Sequence, residues 1–372
     1  MTESPTLECK NIVKRRKEAN LPVYDCGLGS NVLKPPPVFY ELIRAYASQY
    51  QYSSVHGEPP LQSVLKKYFS SDQYTVEHTL VGHGLKEILF CFHSAFLGTI
   101  FHVVPKWVSY GEQAEICNTT IVNIMVDPKT MKINAKQLEK SLIHGNHVRA
   151  LLFNNPVNPT GIYYTEEEIK EIAMVCKRTN TVIFADEIYM NLQHDGTFTS
   201  ISKYAPELTI RASSISKDFA AGGYRLGWAL FPEELNYLWK NMVQVGSAIY
   251  SCVNPVVQLA TADLLTLNHS DYMKTQRVYF KKYMQKAIDI LKDTPLNFVK
   301  PNAAWYIFVD FSPIIGKIER GTSLQNFLTE NLGIVCLGGE HFGYSYDFIR
   351  FSIKNENSIE GLRVLKKYIK SL

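Results

Sequence analysis

Three short segments hold most of the side chains whose types and spacing could do chemistry. The first, Asn155-Pro156-Val157-Asn158-Pro159-Thr160-Gly161, places three loop-fixing residues within seven positions. The second, Ala185-Asp186-Glu187-Ile188-Tyr189, closes an apolar run with an acid. The third is Ser214-Ile215-Ser216-Lys217, followed by Gly222-Gly223 and Arg225. Each has an ordinary reading by itself: a rigid strand-to-helix turn, a helix-capping or surface acid, and one exposed lysine among many. Together they supply a carboxylate, hydroxyls, an amine and a guanidinium.

The elements around them say where these groups must lie. Short β-branched or aromatic runs are read as strands at Thr79–Val81, Ile100–Val104, Thr119–Ile124, Ala150–Phe153, Val182–Ala185, Thr209–Ala212 and Leu226–Phe231. Amphipathic helices fit between them. The best is Thr165–Arg178, where Thr165 can cap, Glu166 to Glu168 suit the positive helix end, and Ile169, Ile172, Ala173 and Cys176 form one stripe. Such alternation predicts an α/β fold with a mainly parallel seven-stranded sheet between helices. The texture changes after about residue 235. Long helical patterns at Val256–Leu267 and Tyr272–Leu291 precede a strand near Ala304–Asp310, a helix near Ser323–Asn331, a strand near Phe348–Ile353 and a closing helix from Ile359. A smaller α+β domain is expected there. The expected division is an N-terminal arm over 1–40, a large domain over 41–240, and interdomain helices with the small domain over 241–372. The first forty residues read as irregular, with one short amphipathic stretch and a loop stiffened by Pro35-Pro36-Pro37.

Open parallel sheets bind ligands at the carboxyl ends of their strands, and all three segments follow predicted strands. Pyridoxal 5′-phosphate (PLP) needs this set of groups. A buried carboxylate keeps its pyridine nitrogen protonated, a lysine amine takes its aldehyde, and hydroxyls, backbone N–H groups and an arginine take its phosphate.

The segments NNPVNPTG, ADEIY and SISKDFAAGGYRLGW resemble, in order and close to their spacings, those of the class I/II aminotransferases, the fold type I PLP enzymes. The resemblance runs from about residue 25 to the end. It implies that Lys217 forms the Schiff base, Asp186 pairs with the pyridine nitrogen, Asn158 and Tyr189 bond the ring's phenolic oxygen, and Ser214 and Arg225 bind phosphate. Trp107 matches the aromatic that stacks on the ring. Gly84, Leu85 and Lys86 match the helix opening whose backbone cradles the phosphate, although leucine stands where a small residue is usual. Tyr52, five residues before Gly57, resembles the tyrosine that reaches the neighbouring subunit's phosphate, which implies an obligate homodimer with shared sites. Arg350, in Phe348-Ile349-Arg350-Phe351-Ser352, matches the arginine for the substrate α-carboxylate, a planar group suited to bidentate pairing. Gly29, in Gly27-Leu28-Gly29-Ser30-Asn31, resembles the glycine whose backbone lies against the substrate, though the usual Gly-x-Pro is missing. In Pro301-Asn302-Ala303-Ala304-Trp305-Tyr306, alanine replaces the usual glycine, which is read as a packing change.

The expected activity is transfer of an amino group between an L-amino acid and a 2-oxo acid in two half-reactions. The alternative on the same fold is a PLP β-lyase that cleaves carbon–sulfur bonds. A more distant one is a non-catalytic PLP-binding sensor domain. A Rossmann dehydrogenase lacks its GxGxxG. Bulk properties agree with an ordinary globular enzyme: 372 residues, 46% hydrophobic, 20% charged and net charge +4. No long basic run points to nucleic acid, and no apolar run is long enough for a membrane span. Seven scattered cysteines without CxxC argue against a disulfide framework or zinc site. The polar N-terminus lacks a signal core, so a cytoplasmic location is expected and the sequons at Asn118 and Asn268 are read as chance. Lys14 to Lys17 reads as a solvated helix face, and His83 and His341 as loop residues.

Overall fold

Seven strands form the large sheet: β1 (His78–Gly82), β2 (Thr99–Val104), β3 (Thr120–Met125), β4 (Arg149–Asn154), β5 (Val182–Asp186), β6 (Thr209–Ser214) and β7 (Gly227–Phe231). The computed structural model describes residues 4–143, 148–195, 198–318 and 322–372, the Thr6 side chain excepted. The spatial order is β1-β7-β6-β5-β4-β2-β3. All neighbouring pairs are parallel except those made by β7, which runs antiparallel to both β6 and β1. Each expected strand is present, with ends differing by one or two residues.

Alternation along these strands feeds two cores. Phe101, Leu151, Phe153, Ile183 and Ala185 face one side. Ile100, Ala150, Leu152, Phe184 and Ala212 face the other, among Leu85, Ile88, Leu89 and Phe92 of the helix Leu85–Ala95. Both faces are therefore covered by helices, as a largely parallel sheet requires. The helix Glu166–Arg178 begins as expected. Thr165 Oγ1 accepts the Glu168 N–H at 3.3 Å and Glu168 returns a bond to the Thr165 N–H at 2.7 Å, a reciprocal capping box.

The C-terminal part centres on β8 (Tyr306–Asp310) and β9 (Phe348–Ser352), an antiparallel pair in a four-stranded sheet. Ile307, Val309, Ile349 and Phe351 enter a core with Leu324, Leu328, Leu362 and Leu365. A period of two then turns Tyr306 and Arg350 to the opposite face, toward the large sheet. The 23-residue helix Ser270–Lys292 buries Met273, Gln276, Phe280, Met284 and Leu291 along one stripe and so touches three cores in turn.

The N-terminal region is more regular than expected. Pro5–Glu18 is a 14-residue helix, with proline at its first position, where no N–H is needed. Lys14 to Lys17 lie in its last turns. Tyr24–Asp25 then pairs in parallel with Ile334–Val335, and Cys26 joins the C-terminal core. Pro37 opens the helix Pro37–Ala45. Ala304 carries more than a packing change: it is buried with φ +52°, a left-handed conformation that an L side chain resists.

Candidate active site

Sheet direction gathers the chemistry. β4, β5 and β6 are adjacent and parallel, so Asn158, Asp186 and Lys217 all fall at one carboxyl edge. β7 runs the other way and starts where its neighbours end, with Gly227 opposite both Ser214 and Gly82. Arg225, two residues earlier, is thus delivered to the same edge. So are Gly84 after β1 and Trp107 after β2. The C-terminal sheet adds Arg350 and Tyr306 from the far side.

Most of these groups line one cavity of 670 Å³. Lys217, Asp186, Asn158, Tyr189, Arg225, Trp107, Leu85, Lys86, Gly29 and Arg350 all contribute to its wall. Three of the expected residues relate to it differently. Gly84 lies just before Leu85 and Lys86, as the N-cap of their helix, and is not part of the wall. Ser214 is buried at 1% exposure, and its Oγ accepts the Ser216 N–H at 3.2 Å; Ser216 lines the cavity in its place. Tyr52 is 93% exposed and lies outside the cavity wall.

Asp186 lies at the end of β5 at 3% exposure. Burial pushes its carboxyl up to about 6, against hydrogen bonds from the Tyr110 hydroxyl and from the Ile188 N–H at 3.2 Å. Lys217 sits in the single helical turn Ile215–Asp218, where its ammonium donates to the Gly29 carbonyl. Burial brings its amine down to about 8, helped by the Arg350 guanidinium and opposed by Asp186. Asn158 Oδ1 accepts from Arg350 Nη1 at 3.2 Å. Tyr189 and Tyr306 share a hydroxyl hydrogen bond of 2.7 Å.

Arg225 adopts φ +58° and donates to the carbonyls of Gly222 at 2.8 Å and His83 at 2.7 Å. The strand and helix ends meet closely here. A Cβ on Gly84, itself at φ +84°, would lie 2.7 Å from Arg225 Nη2, and one on Gly227 would lie 2.6 Å from the Leu85 nitrogen. His83 bonds Glu87 Oε2 at 2.8 Å, a local helix-opening contact. Arg350 is 1% exposed, held by Asn158 and the Gly27 carbonyl between the rings of Tyr306 and Phe342. Its Nε is buried with no partner among the described residues. A buried, partly unsatisfied guanidinium facing a cavity is suited to an anion.

Tyr110, Tyr306, Ser216, Leu7 and Lys10 were not singled out from sequence yet line this cavity. Tyr110 lies one helical turn after Trp107, a spacing that puts both near the same strand end. Leu7 and Lys10 come from the N-terminal helix, signalled by Pro5 just after Ser4.

The fold is that of the aspartate aminotransferases. The structure matches that enzyme from Rhizobium meliloti at a TM-score of 0.90 with 24% identity, covering 100% of this chain and 97% of the other. It matches a Thermus thermophilus aspartate aminotransferase double mutant at 0.87 with 22% identity, covering 99% and 97%. Residues 20–365 match the model of the family "aminotransferase class I and II", and the chain belongs to that family. Similar curated proteins include a probable aspartate/prephenate aminotransferase of Aquifex aeolicus, 28% identical over 99% of this chain and 96% of its own length. A probable kynurenine–oxoglutarate transaminase of Saccharomyces cerevisiae is 26% identical over 86% and 81%. The chain is an aminotransferase of a PLP-dependent family.

Proposed function

We propose that this chain binds PLP through Lys217 and moves an amino group between an L-amino acid and a 2-oxo acid. The observation that carries the reading is the convergence on one cavity of Lys217, Asp186, Asn158, Tyr189, Arg225 and Arg350 from separate elements. The donor set fits the cofactor: a buried carboxylate for a ring N–H, an amine depressed enough to be partly neutral, and a guanidinium beside an open helix end. When bound, PLP supplies an electron sink that makes the α-proton of an amino acid removable.

Asp186 would hold the ring nitrogen, Asn158 and Tyr189 the phenolic oxygen, and Trp107 a ring face. Arg225 and the backbone at Gly84–Lys86 would take the phosphate, with Ser214 and Ser216 in the neighbouring turn. Arg350 would orient the substrate α-carboxylate against the Gly29 backbone. Lys217 Nζ, neutral in a useful fraction near its pKa of about 8, takes the proton from the substrate Cα and returns it within the same site. Tyr52 would complete a partner subunit's phosphate site in a homodimer, a role for which its 93% exposure in one chain leaves it free. The division at residues 40 and 240 belongs to this reading. Among the described residues no helix is long and apolar enough to cross a membrane, which is compatible with the cytoplasmic location we infer.

The test is a half-reaction. Protein loaded with PLP and given amino donor alone, aspartate first, loses its visible absorbance and releases one equivalent of 2-oxo acid; a second 2-oxo acid restores the absorbance. A Lys217→Ala protein turning over at the parent rate overturns the assignment. Ammonia released with pyruvate from a β-substituted donor, without an acceptor, identifies the lyase instead.

A further inference from the structure

The loop Gly27-Leu28-Gly29-Ser30-Asn31 ends in an asparagine whose side chain makes three hydrogen bonds. Asn31 Nδ2 donates one hydrogen to the Lys217 carbonyl at 2.8 Å and the other to Gln276 Oε1 at 2.6 Å. Its Oδ1 accepts the Leu33 N–H at 3.0 Å. Gln276, fully buried on the helix Ser270–Lys292, turns its own amide N–H to the Asp218 carbonyl. That bond fixes the orientation of the Gln276 amide, so its oxygen must face Asn31, and Asn31 must present its donors there. Meanwhile Lys217 Nζ donates to the Gly29 carbonyl. The loop therefore grips one residue at both ends, Gly29 on the amine and Asn31 on the backbone.

A proline would hold such a loop by fixing φ and would offer nothing to Lys217. Asn31 holds the loop through bonds to the lysine turn and to Gln276 instead. The turn needs holding: Ile215–Asp218 is a four-residue helix, too short to hold its own geometry. We propose that Asn31, backed by Gln276, is a positioning residue that locks the Lys217 turn to the substrate-facing loop and keeps the lysine amine covered.

The inference rests on Lys217 being the cofactor lysine. The charged groups around its amine are Arg350, Asp186, Arg225 and Lys354, and burial outweighs them in lowering it. Loosening the clamp admits water, so the amine must titrate higher. Asn31 is only partly buried, so Asn31→Ala empties little core volume, and Asn31→Leu keeps roughly the side-chain size without the donors; thermal unfolding checks that both variants are folded.

The test is the pH dependence of Lys217 labelling by an amine-directed reagent, trinitrobenzenesulfonate, read by peptide mass spectrometry on cofactor-free protein, alongside kcat of the holoenzyme. Both variants are expected to raise the Lys217 midpoint by about half a pH unit and to lower kcat about tenfold through misplacement of the amine. A parental midpoint in both variants overturns the proposal, whether or not kcat falls, because Asn31 then acts elsewhere than on Lys217. Failure of the cofactor reading is seen separately, as parent protein that gains no visible absorbance with PLP and no protection of Lys217 from the reagent.

Discussion

At the scale of single residues, the site is built from groups that sit poorly without a ligand. Asp186 is held near 6 rather than 3.8, chiefly by burial. Between those values the folded, cofactor-free chain keeps a proton that the unfolded chain has lost, so this group's contribution to stability falls as pH rises through that window. Lys217 is held near 8 rather than 10.5. There the unfolded chain holds the extra proton, and the contribution falls as pH drops from 10.5 through 8. Near neutrality both groups are charged at a cost that a bound cofactor offsets. PLP is accordingly expected to raise the thermal midpoint most near pH 7, as differential scanning calorimetry across pH can show. PLP retention should fall as pH drops through about 6, when Asp186 takes up its proton. Tyr110→Phe deletes a bond that lowers Asp186, so that midpoint moves to higher pH; spectrophotometric titration reads the shift. Arg350→Lys replaces a planar donor pair with a point charge. It is expected to lower kcat/KM for α-carboxylate substrates by roughly ten- to a hundredfold, about 1.5–3 kcal/mol, while visible absorbance with PLP persists.

At the scale of elements, placement depends on strand direction and helix ends. Lys217, Asp186 and Asn158 share an edge because β4, β5 and β6 are parallel, and Arg225 joins them because β7 is not. The capping box of Thr165 and Glu168 starts the helix that covers β4 and β5 away from the chemistry. Thr165→Ala should destabilise the protein by about 1 kcal/mol and leave kcat unchanged, a contrast that thermal unfolding and steady-state kinetics separate. Capping was readable from sequence because it is local. The N-terminal helix Pro5–Glu18 is barely legible in the sequence. Its apolar pattern is weak, and what it packs against, including Val335 and Leu337 around Cys9, lies more than three hundred residues away.

At the scale of the molecule, one large sheet and one smaller sheet face each other across the cavity, joined by the helix Ser270–Lys292. Arg350 and Tyr306 reach the site only because β8 and β9 turn their second face toward the large sheet. Tyr50 and Tyr52 stand 87% and 93% exposed, the kind of aromatic exposure that a partner surface explains. Sedimentation should show a species of twice the 42.4 kDa chain mass. Tyr52→Phe should weaken PLP retention without dissociating that species; a monomer carrying full activity counts against shared sites.

The sequence determined the strand and helix order, the mainly parallel sheet, and the segments around Asn158, Asp186 and Lys217. Those features depend on local patterning and on residues that must follow strands directly. Tertiary structure alone decided which other groups meet them. Tyr110 on Asp186, Tyr306 on Tyr189, Ser216 rather than Ser214 at the wall, and Asn31 on the Lys217 carbonyl all depend on how distant elements pack and which way side chains turn. The Asn31 contact joins positions 186 residues apart, a distance across which periodicity and spacing carry no signal.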